Sequence, residues 1–270
     1  MASVDIGIDL GTASILVYIG DQGIVLREPS VVAVNNRTDE ILTVGDEAYQ
    51  MIGKTPADIS AIRPLKDGVI SDYKMTEVMI KYFLRKSCKT NIMKPRVALC
   101  VPSLITGVEA QAAVDAAVVA GARNVYLIEE PVAAAIGAGI DISAPNGNMI
   151  LDIGGGTSDI AVLSLNGIVC KNSVKVAGDK FDQAIIRYVR GTYNILIGER
   201  MAERMKIAIG SIDNQAEDAS FEVKGRNLAT GLPVKRMITR RELYAPLLDN
   251  VLEIYNAIHS VCLLYTSGPH

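Results

Sequence analysis

One short phrase occurs twice in this chain, each time between two apolar runs. Asp9-Leu10-Gly11-Thr12 follows the run from Val4 to Ile8 and precedes that from Ile15 to Ile19. Asp152-Ile153-Gly154-Gly155-Gly156-Thr157 follows Met149 to Leu151 and precedes Ile160 to Leu165. Both read as strand, glycine turn, strand. Glycines let backbone N–H groups approach an anion closely and converge on it. The threonine hydroxyl adds a donor, and the aspartate can hold a hydrated metal ion. One such turn is often a plain hairpin. Two, a domain's length apart, indicate duplicated halves that grip one polyphosphate between them.

Bulk properties leave room for this. At 270 residues the chain suffices for one large or two ordinary domains, and 49% hydrophobic content with a net charge of −3 argues against disorder and against nucleic acid as a partner. No apolar run reaches the roughly 18 residues that cross a bilayer. The first residues, Met1-Ala2-Ser3-Val4-Asp5, lack the basic and apolar regions of a secretory signal. Cys88, Cys100, Cys170 and Cys262 are scattered without metal-type spacing; Cys100 and Cys170, in apolar strand-like runs, read as buried thiols, and the pattern suits a reducing compartment.

Strand and helix signals alternate, as in α/β proteins. A strand is expected from Pro29 to Val34, then a polar, turn-rich insertion from Asn35 to Asp67. Met75, Val78, Met79, Tyr82 and Phe83 fall at helical spacing. Further elements are a strand from Arg96 to Val101, a helix from Val108 to Ala120 stopped by Gly121, a strand from Val125 to Ile128, and a helix opened by Pro131. The second half repeats the plan: a strand from Val169 to Val176, a helix after Gly178, a helix from about Glu199 to Ile209, a hairpin-like pair (Ser220 to Val223, Val234 to Ile238), and a long helix behind the capping box Thr239-Arg240-Arg241-Glu242. Pro246 should kink that helix at a cost of about 3 kcal/mol.

Phosphoryl transfer to water needs a phosphate cradle, a metal ion and a group that orients the attacking water. The two turns supply the cradle, and Asp9 and Asp152 could hold Mg²⁺, largely through water. Glu129-Glu130-Pro131 sits at a strand-to-helix junction. Either acid could serve the helix dipole alone or polarise a water beside the clamp. Val176-Ala177-Gly178-Asp179 is another glycine junction ahead of a helix and could meet phosphate or ribose. Glu203 and Lys206 lie one turn apart, as a solvated pair or as a bracket for ribose or adenine. Ile92-Met93, between Lys89 and Lys94, is either a loop covering the core or an apolar tip that dips into an anionic membrane. Near the end of the last helix, His259 reads as structural.

Taken together, the chain resembles the bacterial actin homologues of the MreB/Mbl group. The stretches that carry the resemblance are GIDLGTASILVY from Gly7, EPSVVAV from Glu28, AIRPLKDGVISDY from Ala61, KPRVALCVPS from Lys94, IEEPVAAAIGAG from Ile128, GNMILDIGGGTSDIAVLSL from Gly147, AGDKFDQAI from Ala177 and IGERMAERMKIAIGS from Ile197. They span about residues 3 to 260. The resemblance implies an actin-like ATPase fold of two ribonuclease-H-like α/β domains around an ATP cleft, each with a smaller subdomain. The first domain would be 1–145, with an inserted subdomain at 35–67. The second would be 146–270, with core parts 146–180 and 239–260 and a subdomain at 181–238. By motif, Gly11, Thr12, Ala13 and Ser14 would lie on one phosphate loop and Gly154, Gly155, Gly156 and Thr157 on the other. Glu130 would activate water with help from Thr157. Gly178, Asp179, Glu203, Arg204, Met205 and Lys206 would contact ribose and adenine, and Ile92-Met93 would insert into the membrane. The implied role is ATP- and Mg²⁺-dependent polymerisation into filaments at the inner face of the cytoplasmic membrane, which guide the cell-wall synthesis machinery and maintain rod shape. A small-molecule kinase or a chaperone-type ATPase of the same superfold is the alternative.

Three departures qualify the resemblance. Ser14 stands where the family commonly has Asn, and Pro246 is unusual in the last helix. The family also has a third glycine-rich loop over adenine, beyond the end of this chain, and residues 261–270 read as a tail unlike the family. On that basis the chain is expected to bind ATP poorly and to be unstable.

Overall fold

The structure is a computed structural model, which describes residues 4–87 and 94–266. The chain divides into two compact units, Met1–Lys175 with Ile258–His270, and Val176–Ala257. The expected division at 145/146 falls inside the first unit, because the second glycine hairpin packs with the first.

In the first unit, β1 (Asp5–Leu10) pairs antiparallel with β2 (Ser14–Ile19), which pairs with β3 (Gly23–Pro29). Ile6, Ile8 and Leu10 alternate into the core, so Asp9 lies on the opposite face. The strand expected to begin at Pro29 begins instead at Val32. Ser30 intervenes, its N–H bonded to Ala13 O (3.1 Å) and its Oγ to Gly11 O (2.5 Å), which ties the chain to the first hairpin turn. The insertion is ordered. It comprises β4 (Val32–Asn35), β5 (Glu40–Val44), α1 (Asp46–Met51) and β6 (Ile59–Ile62), a small antiparallel sheet in the order β5-β4-β6. A tight hairpin follows, β7 (Leu65–Lys66) and β8 (Val69–Ile70), turned by Asp67 and Gly68 with φ of 50° and 79°. That turn suits the Asp-Gly dipeptide, because both central residues need positive φ.

Then come α2 (Tyr73–Ser87), β9 (Arg96–Val101), α3 (Gly107–Ala120), β10 (Asn124–Glu129) and α4 (Glu130–Gly137). Strands β9 and β10 run parallel to β1 and complete a five-stranded sheet, β10-β9-β1-β2-β3. Met75, Met79, Ile80, Phe83 and Leu84 of α2 and the alanines of α3 cover one face of it. Full burial of a side chain like Phe83 contributes about 1.5–3 kcal/mol. A reciprocal capping box between Thr106 and Glu109 starts α3, and Gly121 ends it. The second glycine hairpin is β11 (Asn148–Ile153) and β12 (Ser158–Ser164), extended by β13 (Gly167–Val174) into an antiparallel three-stranded sheet. Ala161 and Leu163 of β12 pack on Ala135 of α4.

The second unit contains α5 (Gly178–Tyr193), β14 (Ile195–Leu196), α6 (Glu199–Ile209), β15 (Ser220–Asn227) and β16 (Pro233–Thr239). Its core gathers Ile185, Val189, Ala202, Met205, Ile209, Val223, Ile238, Leu243 and Leu247. Glu242 accepts the Thr239 N–H at 2.7 Å and opens α7 (Arg240–Thr266). Pro246 lies inside α7, and the helix continues past it to Thr266, beyond the expected end near residue 260. Val261 is fully buried, and its carbonyl accepts from the Cys170 thiol at 3.6 Å. Among the described residues no helix is long and apolar enough to cross a membrane. Ile92 and Met93 lie outside the described residues.

Candidate functional site

The carboxyl ends of β1, β9 and β10 finish side by side. In register, Asp9 pairs with Cys100, Cys100 with Ile128, and Glu129 with Val101. Open sheets bind ligands in the crevice beyond such ends. Glu130 is the next residue, at the start of α4. On the other sheet of the same unit, Asp152 pairs directly with Asp159. Residues opposite one another share a face, so both acids lie on the α4 side of that sheet, together with Ile150, Ala161 and Leu163.

The two glycine turns touch. A Cβ added at Gly155 would come within 2.6 Å of Ala13 Cβ, and one at Gly156 within 2.6 Å of Thr12 Oγ1. No other residue type allows this approach. Together the turns line a cavity of about 90 Å³ with Asp9, Leu10, Gly11, Thr12, Ala13, Ser14, Gly154, Gly155, Gly156 and Thr157, and Glu130 and Asp152 complete its wall. That volume holds several waters or a phosphate-sized group. Thr12 and Thr157, only 4% and 7% exposed, lie in the same crevice.

The Asp67-Gly68 turn, which motif reading left at the edge of the insertion, reaches this site. Gly68 lines the cavity and donates its N–H to Thr12 Oγ1 at 2.9 Å. Arg63 Nη1 donates to Ala13 O at 3.3 Å. The Asp-Gly dipeptide between Leu65-Lys66 and Val69-Ile70 signals the turn. Its destination is a long-range contact that no local pattern encodes. Nor does any local pattern single out Ser103 or Asp159. The Asp159 carboxylate, fully buried, accepts the Ser103 N–H at 2.8 Å.

The two acids before Pro131 separate cleanly. Glu129 is ion-paired to Lys171 at 2.7 Å, whereas Glu130 lines the cavity. Burial, then the charges of Asp159, Asp9 and Asp152, push the Glu130 carboxyl up to about 8. Burial and Asp152 raise Asp9 to about 6, and burial and Asp159 raise Asp152. The lining thus holds three carboxyls and no basic side chain. A phosphate can enter such a wall only with a cation, so these residues fit a metal-bound polyphosphate. Among the described residues no three His, Cys, Asp or Glu side chains are grouped to hold a metal directly.

In the second unit, Gly178 and Asp179 open α5, and α6 presents Glu203 and Lys206 on one face. Lys206 is not simply one half of a solvated pair with Glu203. Its ammonium lies 3.0 Å from Asp182 Oδ1 and donates to Gly178 O at 3.1 Å, which staples α6 to the first turn of α5. Burial raises the Asp182 carboxyl to about 6, with Lys206 opposing. Met205 is fully buried in the core, in step with Ala202 and Ile209, so its side chain is spent on packing. Arg204 lies over the Phe221 ring, 5.8 Å from its centroid.

The family model described as MreB/Mbl protein matches residues 3–267. This chain belongs to the MreB/Mbl family. The match passes residue 260, so seven of the ten residues first read as an unrelated tail fall inside it, in keeping with the unbroken α7. Among curated relatives of this MreB/Mbl chain, the cell shape-determining protein Mbl of Bacillus cereus is 48% identical over 97% of the chain and 79% of its own length. The cell shape-determining protein MreB of Escherichia coli K12 is 48% identical over 96% of the chain and 76% of its length. Among solved structures, MreB5 of Spiroplasma citri bound to AMPPNP superposes with a TM-score of 0.91 at 40% identity, covering all of this chain and 80% of that one. Its ADP complex scores 0.91 at 39% identity, covering 99% and 80%. A MamK double helical filament scores 0.80 at 20% identity over 96% of this chain and 80% of its own, a likeness of fold alone. The fold is actin-like.

Proposed function

We propose that this MreB/Mbl chain binds ATP with Mg²⁺, hydrolyses it at low turnover, and couples hydrolysis to self-assembly into filaments at the inner face of the cytoplasmic membrane, where they guide wall synthesis and maintain rod shape. The observation that carries this reading is the meeting of both glycine turns with Glu130 around one cavity. The AMPPNP and ADP complexes of the Spiroplasma relative support a nucleotide as the occupant.

The backbone N–H groups of residues 11–14 and 154–157, with the Thr12 and Thr157 hydroxyls, would hold the phosphates. Mg²⁺, held by Asp9 and Asp152 largely through water, would neutralise charge on the phosphate oxygens. The oxygen of a water bonds to the γ-phosphorus as the bond from that phosphorus to the ADP oxygen breaks. Glu130 takes the proton of that water, and a carboxyl raised towards neutral pH is suited to the task. In the second unit, Gly178, Asp179, Glu203 and Lys206 are the proposed ribose and adenine contacts. Ile92-Met93 is the proposed membrane tip, and 1–145 and 146–270 are the proposed domains.

The test is ATP turnover of the purified chain together with sedimentation, with and without anionic liposomes. Mg²⁺-dependent phosphate release and ATP-dependent pelleting, increased by lipid, are expected, and tight Mg²⁺-dependent ATP binding would set aside the poor binding expected from the departures in the sequence. Glu130→Ala should slow hydrolysis by about 10²–10⁴-fold while sparing nucleotide binding. Equal loss of both would remove its assigned role, and absence of nucleotide binding would overturn the reading.

A further inference from the structure

Ser30 belongs to no strand, yet it is fully buried between β3 and β4, and both of its donors serve the first glycine turn. Its N–H donates to Ala13 O at 3.1 Å and its Oγ to Gly11 O at 2.5 Å. Arg63 Nη1 donates to the same Ala13 oxygen at 3.3 Å. The N–H bond continues the β2–β3 ladder one step beyond the Ser14–Pro29 pair, and any residue but proline would make it. The bend itself is closed by the Val31 N–H, which donates to Pro29 O at 2.9 Å. The hydroxyl bond serves neither ladder nor bend. It reaches past both to the turn, where a side chain at Gly11 would meet Ser14 O at 2.6 Å.

A trans peptide unit points its C=O and the following N–H in opposite directions, and every described peptide bond is trans. The carbonyls of Gly11 and Ala13, drawn towards Ser30, therefore turn the N–H groups of Thr12 and Ser14 the other way. Gly11 to Ser14 line the cavity and Ser30 does not, so Ser30 holds the turn from behind.

We propose that Ser30 is a positioning residue for phosphate binding: its hydroxyl fixes the Gly11–Thr12 peptide unit so that the Thr12 amide faces the anion. Ser30 acts through Gly11 and not on the phosphate itself. A phosphate gains most from an amide that is already aimed at it, because a peptide unit free to rotate loses part of that gain to ordering. The group served is a phosphate of the nucleotide, so this inference rests on the proposed nucleotide binding.

The experiment titrates the full chain, as wild type, Ser30→Ala, Ser30→Cys and Ile80→Val, with Mg²⁺-AMPPNP. Hydrogen exchange at residues 11–14 and 154–157 is followed with and without saturating ligand, and thermal unfolding is measured for each chain. Ser30→Ala should weaken binding by about three- to tenfold, as expected for one hydrogen bond. Ser30→Cys keeps the volume but offers only a weak donor, and should weaken binding by about threefold; it carries the test if the alanine variant does not fold. Ile80→Val trims a buried side chain of α2 away from the turn, and should lower the unfolding temperature while leaving binding unchanged. In Ser30→Ala at saturation, the slowing of exchange that the ligand brings should shrink at residues 11–14 and persist at 154–157. Unchanged affinity in the Ser30 variants, an equal loss of affinity in Ile80→Val, or an equal loss of protection at both turns would each overturn the inference and leave the nucleotide reading intact. Wild-type chain that binds no Mg²⁺-AMPPNP would overturn both.

Discussion

The amide of Gly68 donates to Thr12 Oγ1 at 2.9 Å, from a turn that also presses on the other hairpin. A Cβ at Gly68 would come within 2.8 Å of Pro102 Cγ and 2.9 Å of Thr157 Cγ2, and the φ of 79° disfavours any side chain. This glycine is wedged between the threonines of the two glycine turns.

Gly68→Ala should therefore destabilise the chain by about 1–3 kcal/mol and weaken nucleotide binding in the same variant. Chemical denaturation and titration with a fluorescent ATP analogue check this. Unchanged stability would mean that the turn does not fit as tightly as described.

The acidic wall predicts an inverted pH dependence for the nucleotide-free, Mg²⁺-free chain. A carboxyl whose pKa is higher folded than unfolded binds its proton more tightly in the native state. Its stabilisation is complete below the unfolded value and is lost as pH rises towards the folded value. For Asp9 the window runs from 3.8 to about 6, and for Glu130 from 4.5 to about 8. Stability should fall across this range. Glu130→Gln should flatten the upper part and raise stability at pH 8 by a few kcal/mol. Denaturant midpoints from pH 4 to 9 are the measurement, and a Glu130→Gln curve parallel to wild type would contradict it.

Lys206→Met should cost about 1–3 kcal/mol. It strands the Asp182 carboxylate, only 7% exposed, without the ammonium that opposes its burial. Adding Asp182→Asn should recover part of the loss. A double-mutant cycle checks the coupling, and zero coupling energy would count against the staple between α5 and α6.

Cys100 should resist alkylation. Burial, with the charges of Asp9, Glu130 and Asp152, pushes its thiol up to about 12, so little thiolate exists at pH 8. Iodoacetamide labelling read by mass spectrometry should modify Cys100 in the unfolded chain and spare it in the native one.

The hairpins were legible because each Asp-Gly-Thr phrase is local, with apolar runs that fix strand direction on both sides. Helices α2 and α6 were legible from their periodicity, and α3 from its alanines and glycine stop. Strand β3 was missed because Gly20 to Gly23 reads as a loop and its seven residues alternate weakly. The last turns of α7 were harder to read, because residues 261–270 look unlike the family, whereas the burial of Val261 carries the helix on to Thr266. Within the site, Gly68, Ser103 and Asp159 were invisible for a common reason. Each acts through residues more than fifty positions away, at Thr12, Asp159 and Ser103 respectively. Met205 shows how two patterns overlap: its spacing from Ala202 and Ile209 marks a core face within a stretch that the resemblance assigns to adenine.

The Asp67-Gly68 turn closes the β7–β8 hairpin, which follows the inserted sheet, and abuts both threonines. A displacement of that hairpin bears on Thr12 and Thr157 together, and a filled cavity bears on the hairpin in return. A single glycine thus couples the hairpin to both jaws of the crevice.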